Sequence, residues 1–104
     1  MKDALKNFLT ITETEFQQIE KQIDPKALRT AAQIICDAQA QGGRLHVTGI
    51  GKPAHVATYL ASLLSSTGTP AYFLHGTEAV HGSCGQLVPG DVVICISNSG
   101  ETQE

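Results

Sequence analysis

One hundred and four residues, 41% of them apolar, describe at most one domain with a small core. A formal charge of −3 with seven basic residues offers no basic face for nucleic acid, and no apolar run reaches membrane-spanning length. The start Met1-Lys2-Asp3 has no signal-peptide core, and Cys36, Cys84 and Cys95, three cysteines without a CxxC pair, point to reduced thiols in a cytoplasmic compartment.

From Leu5 to Ile23 the apolar residues Leu5, Phe8, Leu9, Phe16, Ile19 and Ile23 fall at helical spacings and define one stripe. Asp24-Pro25 then resets the chain, with Asp24 as N-cap and Pro25 at the first helical position. A second helix carries Leu28, Ala31, Ala32, Ile35 and Ala38 on one face and stops at Gly42-Gly43. The first helix has no sheet of its own, so its stripe is expected to pack across the domain or against another subunit.

After Gly43 the texture changes. Leu45-His46-Val47-Thr48-Gly49-Ile50 reads as a strand, and Gly51-Lys52 as the turn leaving it. The next helix has Pro53 near its start and Val56, Leu60, Leu63 and Leu64 facing inward. Gly68-Thr69-Pro70 ends that unit, and Ala71–His75 is the second strand. A polar stretch from Gly76 to Gly85 follows, with room for a helical turn. Pro89-Gly90-Asp91 then leads into the apolar run Val92–Ile96. Strand, helix, strand, connection, strand implies parallel pairing with right-handed crossovers, an α/β sheet. The chain ends where the third strand's helix should begin, which reads as a fragment or as a fold completed by another chain.

The turn after the third strand, Ser97-Asn98-Ser99-Gly100-Glu101-Thr102, concentrates small hydroxyls, a glycine and an acid. A junction from strand to helix gathers backbone N–H groups and the positive end of a helix dipole, so it suits a phosphate. Ser97, Ser99 and Thr102 would add hydroxyl donors, Gly100 would let the backbone come close, and Glu101 would handle protons. The bland alternative is an ordinary capped turn with Ser99 or Thr102 as N-cap. Gly49-Ile50-Gly51-Lys52-Pro53-Ala54 matches the loose G-x-G-x-x-A dinucleotide pattern. That reading also wants an acid at the end of the second strand, and the strand ends in His75 instead. Lys52 fits better as a cation for a phosphate or an enediolate oxygen, against the alternative of a solvated lysine. Both turns would open on the carboxyl edge of the strands, where ligands of such sheets bind.

His75, His81 and Cys84 lie within ten residues, yet their spacing matches no standard zinc signature. Metal competes there with pocket lining and plain loop residues. His46 and His55 read as structural. Cys95 is expected to be buried and inert, Cys36 to sit near its helix's apolar face, and Cys84 to be the reactive thiol.

Val47-Thr48-Gly49-Ile50-Gly51-Lys52, Ser66-Thr67-Gly68-Thr69-Pro70, Glu78-Ala79-Val80-His81-Gly82 and Ile96-Ser97-Asn98-Ser99-Gly100-Glu101-Thr102 together resemble the sugar isomerase (SIS) domain. The nearest branch is the D-arabinose 5-phosphate isomerases. The resemblance implies a doubly wound, Rossmann-like parallel sheet of about five strands, with only the N-terminal half present in residues 43–104 and a helical segment over 1–42. It implies phosphate held by Ser97, Ser99 and Thr102, with Gly49, Gly51, Asn98 and Gly100 lining the substrate site. Lys52, His81 and Glu101 fall on active-site positions. The implied reaction is aldose–ketose isomerisation of arabinose 5-phosphate and ribulose 5-phosphate through an enediol, without a cofactor or a metal, in a dimer or tetramer. A non-catalytic phosphosugar-binding regulator is the alternative. Two departures stand out: Pro53-Ala54 where the branch has Ser-Gly, and Ser83-Cys84 where it has an acidic and an apolar residue.

Overall fold

The computed structural model describes residues 2–101. Thr102 therefore lies outside the described residues. The chain divides into two compact units, one through Ala31 and one from Ala32. In the first, α1 (Lys2–Gln22) is a continuous helix with no buried residue, and its apolar stripe is exposed along its whole length. Helix α2 (Pro25–Ala40) begins as its sequence dictates, Asp24 Oδ1 accepting from the Lys26 amide at 2.9 Å. Its end is a Schellman closure. The Gly42 amide returns to Gln39 and the Gly43 amide to Ala38, with Gly42 at φ +86°, a conformation that favours glycine.

The second unit holds three parallel strands: β1 (Leu45–Gly49), β2 (Ala71–His75) and β3 (Val92–Ile96). They lie in the order β2-β1-β3, with Gly49 level with His75 on one side and Ile96 on the other. The chain thus builds outward from β1 to β2 and then returns to the opposite side of β1. This makes the seam between β1 and β3 a topological switch point, where a parallel sheet opens a crevice at its carboxyl edge.

Helix α3 (Lys52–Ser66) covers one face of the sheet. Val47 and Ala57 are fully buried there with Ala61, and Leu60, Ala71, Phe73, Ile94 and Ile96 pack around them. The inward face of α3 is therefore Ala54, Ala57 and Ala61, while Val56 and Leu63, expected inside, are 54% and 45% exposed. The reason lies in β1. A Cβ on Gly49 would stand 2.7 Å from the Pro53 carbonyl carbon, so the helix backbone rests almost directly on the strand. Alanines therefore fill the closest approach, and Leu60 packs at its margin.

The other face carries His46, Thr48, Tyr72, Leu74, Val93 and Cys95, by the alternation along paired strands. After β2 a short helix α4 (Gly76–Val80) and a 3₁₀ turn (Ser83–Gln86) carry the chain to β3. Cys95 is exposed, against the expectation of a buried thiol, because β3 alternates half-buried and exposed positions and Cys95 falls on the exposed set. Cys36 and Cys84 are exposed too. Among the described residues no helix is long and apolar enough to cross a membrane.

Candidate functional site

At the switch point, Lys52, Pro53 and Val56 from α3 face Ile96, Ser97 and Asn98 from the end of β3 across a cleft of about 620 Å³. The lysine-bearing turn and the serine-rich turn thus share one rim. Gly51 sets this up as the N-cap of α3 at φ +70°, a left-handed conformation in which a side chain would be strained. No side chain caps the helix there. Pro53 has no N–H, and the Ala54 amide is already given to the Gly51 carbonyl at 3.0 Å. The α3 terminus therefore has few free amides, and the positive charge on this lip of the cleft is that of Lys52.

The serine-rich turn is folded on itself. Ser97 Oγ accepts from the Gly100 amide at 2.9 Å, and Ser99 Oγ accepts from the Glu101 amide at 3.1 Å. Gly100 adopts φ +76°, which lets the turn curl tightly enough for both bonds. Two serine hydroxyls are thereby gathered in one tight bend, with the Gly100 and Glu101 amides turned inward onto them. No helix opens within the described part of this turn.

A second cleft of about 360 Å³ opens on the opposite face of the sheet, its walls including Thr48, Gly49, Leu74, Cys84, Cys95 and Ser97. Ser97, Ile96 and Pro53 border both clefts, so the two join at the carboxyl ends of β1 and β3. Thr48 Oγ1 is buried in that wall without a hydrogen-bond partner.

The remaining expected residues are dispersed. His81 closes the C-terminus of α4, its side chain is exposed, and it lines neither cleft. Glu101 is exposed at the end of the described turn. His75 serves its own helix. Its Nδ1 accepts from the Thr77 amide at 3.1 Å, which caps α4 and leaves the ring proton on Nε2. Among the described residues His75, His81 and Cys84 do not come together as a metal site, since one is a helix cap and another an outward loop residue.

Sequence reasoning missed a polar network at the opposite, amino edge of the sheet. His46 is 1% exposed, with Nε2 at 2.9 Å from Asp91 Oδ2 and Nδ1 at 3.1 Å from Gln86 Nε2. The Gln86 amide can only donate to Nδ1, so the ring donates from Nε2 to the carboxylate. Asp91 Oδ1 also accepts from the Arg44 amide at 2.9 Å, and Oδ2 from the Val88 amide at 3.0 Å. These two backbone bonds, opposed by desolvation and aided by His46 and the Arg44 charge, hold the Asp91 carboxyl well below the usual carboxylate range. The network fastens the loop before β3 to β1. Its sequence signal is a histidine inside an apolar strand and an aspartate just ahead of another strand, which becomes informative only when those strands are known to be neighbours.

Residues 39–104 match the SIS domain family. Among curated proteins, the arabinose 5-phosphate isomerase KpsF of Escherichia coli is 39% identical over 85% of this chain and 27% of its own length. The arabinose 5-phosphate isomerase KdsD of Francisella tularensis is 37% identical over 98% of this chain and 31% of its own. The chain spans about a fifth to a third of the length of such relatives, the Shigella flexneri KdsD being covered over 19% at 50% identity. Among solved structures, an Escherichia coli CFT073 protein in complex with arabinose 5-phosphate superposes with a TM-score of 0.76 at 40% identity, over 97% of this chain and 53% of that one. A Bacteroides fragilis protein described as a phosphosugar isomerase involved in capsule formation gives 0.73 at 34% identity, over 91% and 53%.

Proposed function

Since this chain belongs to the SIS domain family, we propose that the protein it is part of is an aldose–ketose isomerase interconverting arabinose 5-phosphate and ribulose 5-phosphate. The observation that carries the reading is the cleft at the switch point, with a lysine on one lip and the serine-rich turn on the other. A sugar phosphate is a polar chain with a dianion at one end and a carbonyl at the other. We assign the phosphate to the hydroxyls of Ser97, Ser99 and Thr102, with Asn98 and Gly100 beside it. Gly49 and Gly51 let backbone close in on the sugar. Lys52 faces the oxygen that becomes negative.

The chemistry is a proton shift. A base removes the proton from C2 of the open-chain aldose and the electron pair moves through C1 onto the aldehyde oxygen, giving an enediolate; the proton returns at C1 while the O2 hydroxyl proton passes to O1, leaving a ketone at C2. Glu101 and His81 are the groups we assign to proton handling, and a cation at Lys52 steadies the enediolate. Electrons only move within the substrate, so the reaction calls for no redox cofactor. We also propose a homo-oligomer, and a cytoplasmic protein, consistent with three unpaired and exposed cysteines. Pro53 on the cleft lip is the one departure that suits a regulatory binder, and the isomerase is preferred because the curated relatives are arabinose 5-phosphate isomerases.

The complete protein, given arabinose 5-phosphate without added cofactor, should form ribulose 5-phosphate. Thermal stabilisation by the sugar phosphate without turnover would remove the isomerase reading and leave only binding.

A further inference from the structure

The chemistry proposed for the first cleft leaves the second unexplained, and two of the chain's three cysteines border it. Cys84 and Cys95 both line that cleft of about 360 Å³, and both are exposed. Cys95 stands level with Thr48 of the neighbouring strand, on the same face of the sheet. Cys84 is brought there by the crossing that follows β2. That segment runs from the carboxyl end of β2 to the amino end of β3, and Gln86 pins it over β1 through its bond to the His46 ring. Cys84 precedes Gln86 by two residues in the 3₁₀ turn, which places it nearer the carboxyl edge, towards Thr48. His46 and Thr48 are about 7 Å apart along the strand, and a 3₁₀ turn rising about 2 Å per residue covers more than half of that in two residues. Thr48 Oγ1 is buried in the same wall and finds no hydrogen-bond partner among the described residues, so a donor is available beside Cys95. Cys36, on α2, borders neither cleft.

We propose that Cys84 and Cys95 are a peroxide-responsive dithiol that closes to an intrachain disulfide across this cleft, with Thr48 donating to the Cys95 thiolate. The Cys84 thiolate attacks one peroxide oxygen and the O–O bond breaks, which leaves a sulfenic acid on Cys84 and releases water. The Cys95 thiolate then attacks that sulfur, the S–S bond forms, and hydroxide leaves and takes up a proton as a second water. Two thiols are oxidised and one peroxide is reduced. Thiol reductants reverse the bridge, as suits an exposed disulfide in the reducing compartment proposed above. The bridge also ties two parts of the proposed site. Cys84 lies three residues after His81, and Cys95 two before Ser97. Bridging therefore holds the His81 segment over the second face of the sheet, away from Lys52, and slows turnover. That last consequence rests on the isomerase reading, whereas the bridge itself does not.

The test treats the complete protein with hydrogen peroxide, alkylates the remaining thiols and cleaves at Asp91, the one acidic residue between the two cysteines. Mass spectrometry should find the Cys84 and Cys95 peptides joined until a reductant separates them, in a chain that still runs singly on a denaturing gel. Cys84→Ser and Cys95→Ser should each abolish the bridge, and Cys36→Ser should leave it intact. Thr48→Val should slow its formation about two- to tenfold, the worth of one hydrogen bond. Turnover should be largely lost on bridging and recover with reductant. Sulfinic or sulfonic acid on either cysteine without a joined peptide, or a bridge to Cys36 or to another chain, overturns the proposal. A Thr48→Val protein that bridges at the parental rate removes Thr48 from it. Undiminished turnover in the bridged protein overturns the regulatory role. Absence of turnover in the reduced protein counts instead against the isomerase reading and leaves the peptide result standing.

Discussion

Gly49→Ala tests the physical basis of the site most directly. Gly49 is the last residue of β1, and a Cβ built there stands 2.7 Å and 2.8 Å from the Pro53 carbonyl carbon and oxygen and 3.0 Å from the Ala54 nitrogen. All three atoms are backbone, so no side-chain rotation relieves the overlap. An ordinary contact begins near 3.4 Å. The first turn of α3 must therefore retreat by roughly 0.7 Å, a strain of about 1–3 kcal/mol in a packed interior. Lys52 opens that turn and moves with it, away from Ser97 and Asn98. Displacements approaching 1 Å in a positioned catalytic group cost up to about a hundredfold. Urea denaturation should show the stability loss, and kcat/KM for arabinose 5-phosphate should fall about 10- to 100-fold. Gly85→Ala is the control, because nothing lies within 4 Å of its added Cβ and both readouts should stay unchanged. A Gly49→Ala protein with parental stability and turnover would refute the claim that α3 is seated by a missing Cβ.

Ala57→Leu should destabilise by about 1–3 kcal/mol in the same urea assay, since Ala57 is fully buried against Val47, whereas Leu63→Gln should change stability by under about 0.5 kcal/mol. Lys52→Met should lower kcat/KM by about 100-fold or more while leaving the urea midpoint unchanged, because Lys52 is exposed and its proposed role is to meet developing charge. Asp91 has a folded-state pKa below its ordinary value of 3.8, so its stabilising effect is complete above about pH 4 and is lost as pH falls through the lowered value. A urea midpoint followed from pH 7 to pH 2 should drop for the parent on that acidic limb, and Asp91→Asn should start lower at pH 7 and lose part of the acid dependence. An Asp91→Asn midpoint that matches the parent at both ends would remove the network from the account of the fold.

Much of the architecture is legible in local composition. Val92–Ile96 and Ala71–His75 are β-rich runs bounded by glycine and proline, and such runs pair in parallel when helices separate them. Asp24-Pro25 and Gly42-Gly43 mark helix ends because capping depends on one or two residues. The inward face of α3 escapes a sequence reading for a non-local reason. Large apolar residues are ordinarily taken to point inward, and Leu60 does pack against the core, but at Gly49 the helix backbone comes so close that the fully covered positions are Ala54, Ala57 and Ala61 while Val56 and Leu63 turn outward. Cys95 escapes in the same way, because a uniformly apolar strand does not reveal which of its two faces a helix covers.

The candidate site divides along the same line. Lys52 and Ser97–Asn98 can be brought together from sequence because two neighbouring strand ends of a parallel sheet share an edge, whatever the details of packing. His81 and Glu101 carry no such guarantee. One closes a short helix after β2 and the other ends the described turn, and neither position is fixed by strand pairing. His75 is a metal candidate by chemistry and a cap by geometry, because imidazole Nδ1 can accept an amide as readily as it can bind a cation. The switch point therefore sets Lys52 and Ser97 on one rim, whereas the proton-handling roles proposed for His81 and Glu101 require the segments that bear them to approach that cleft.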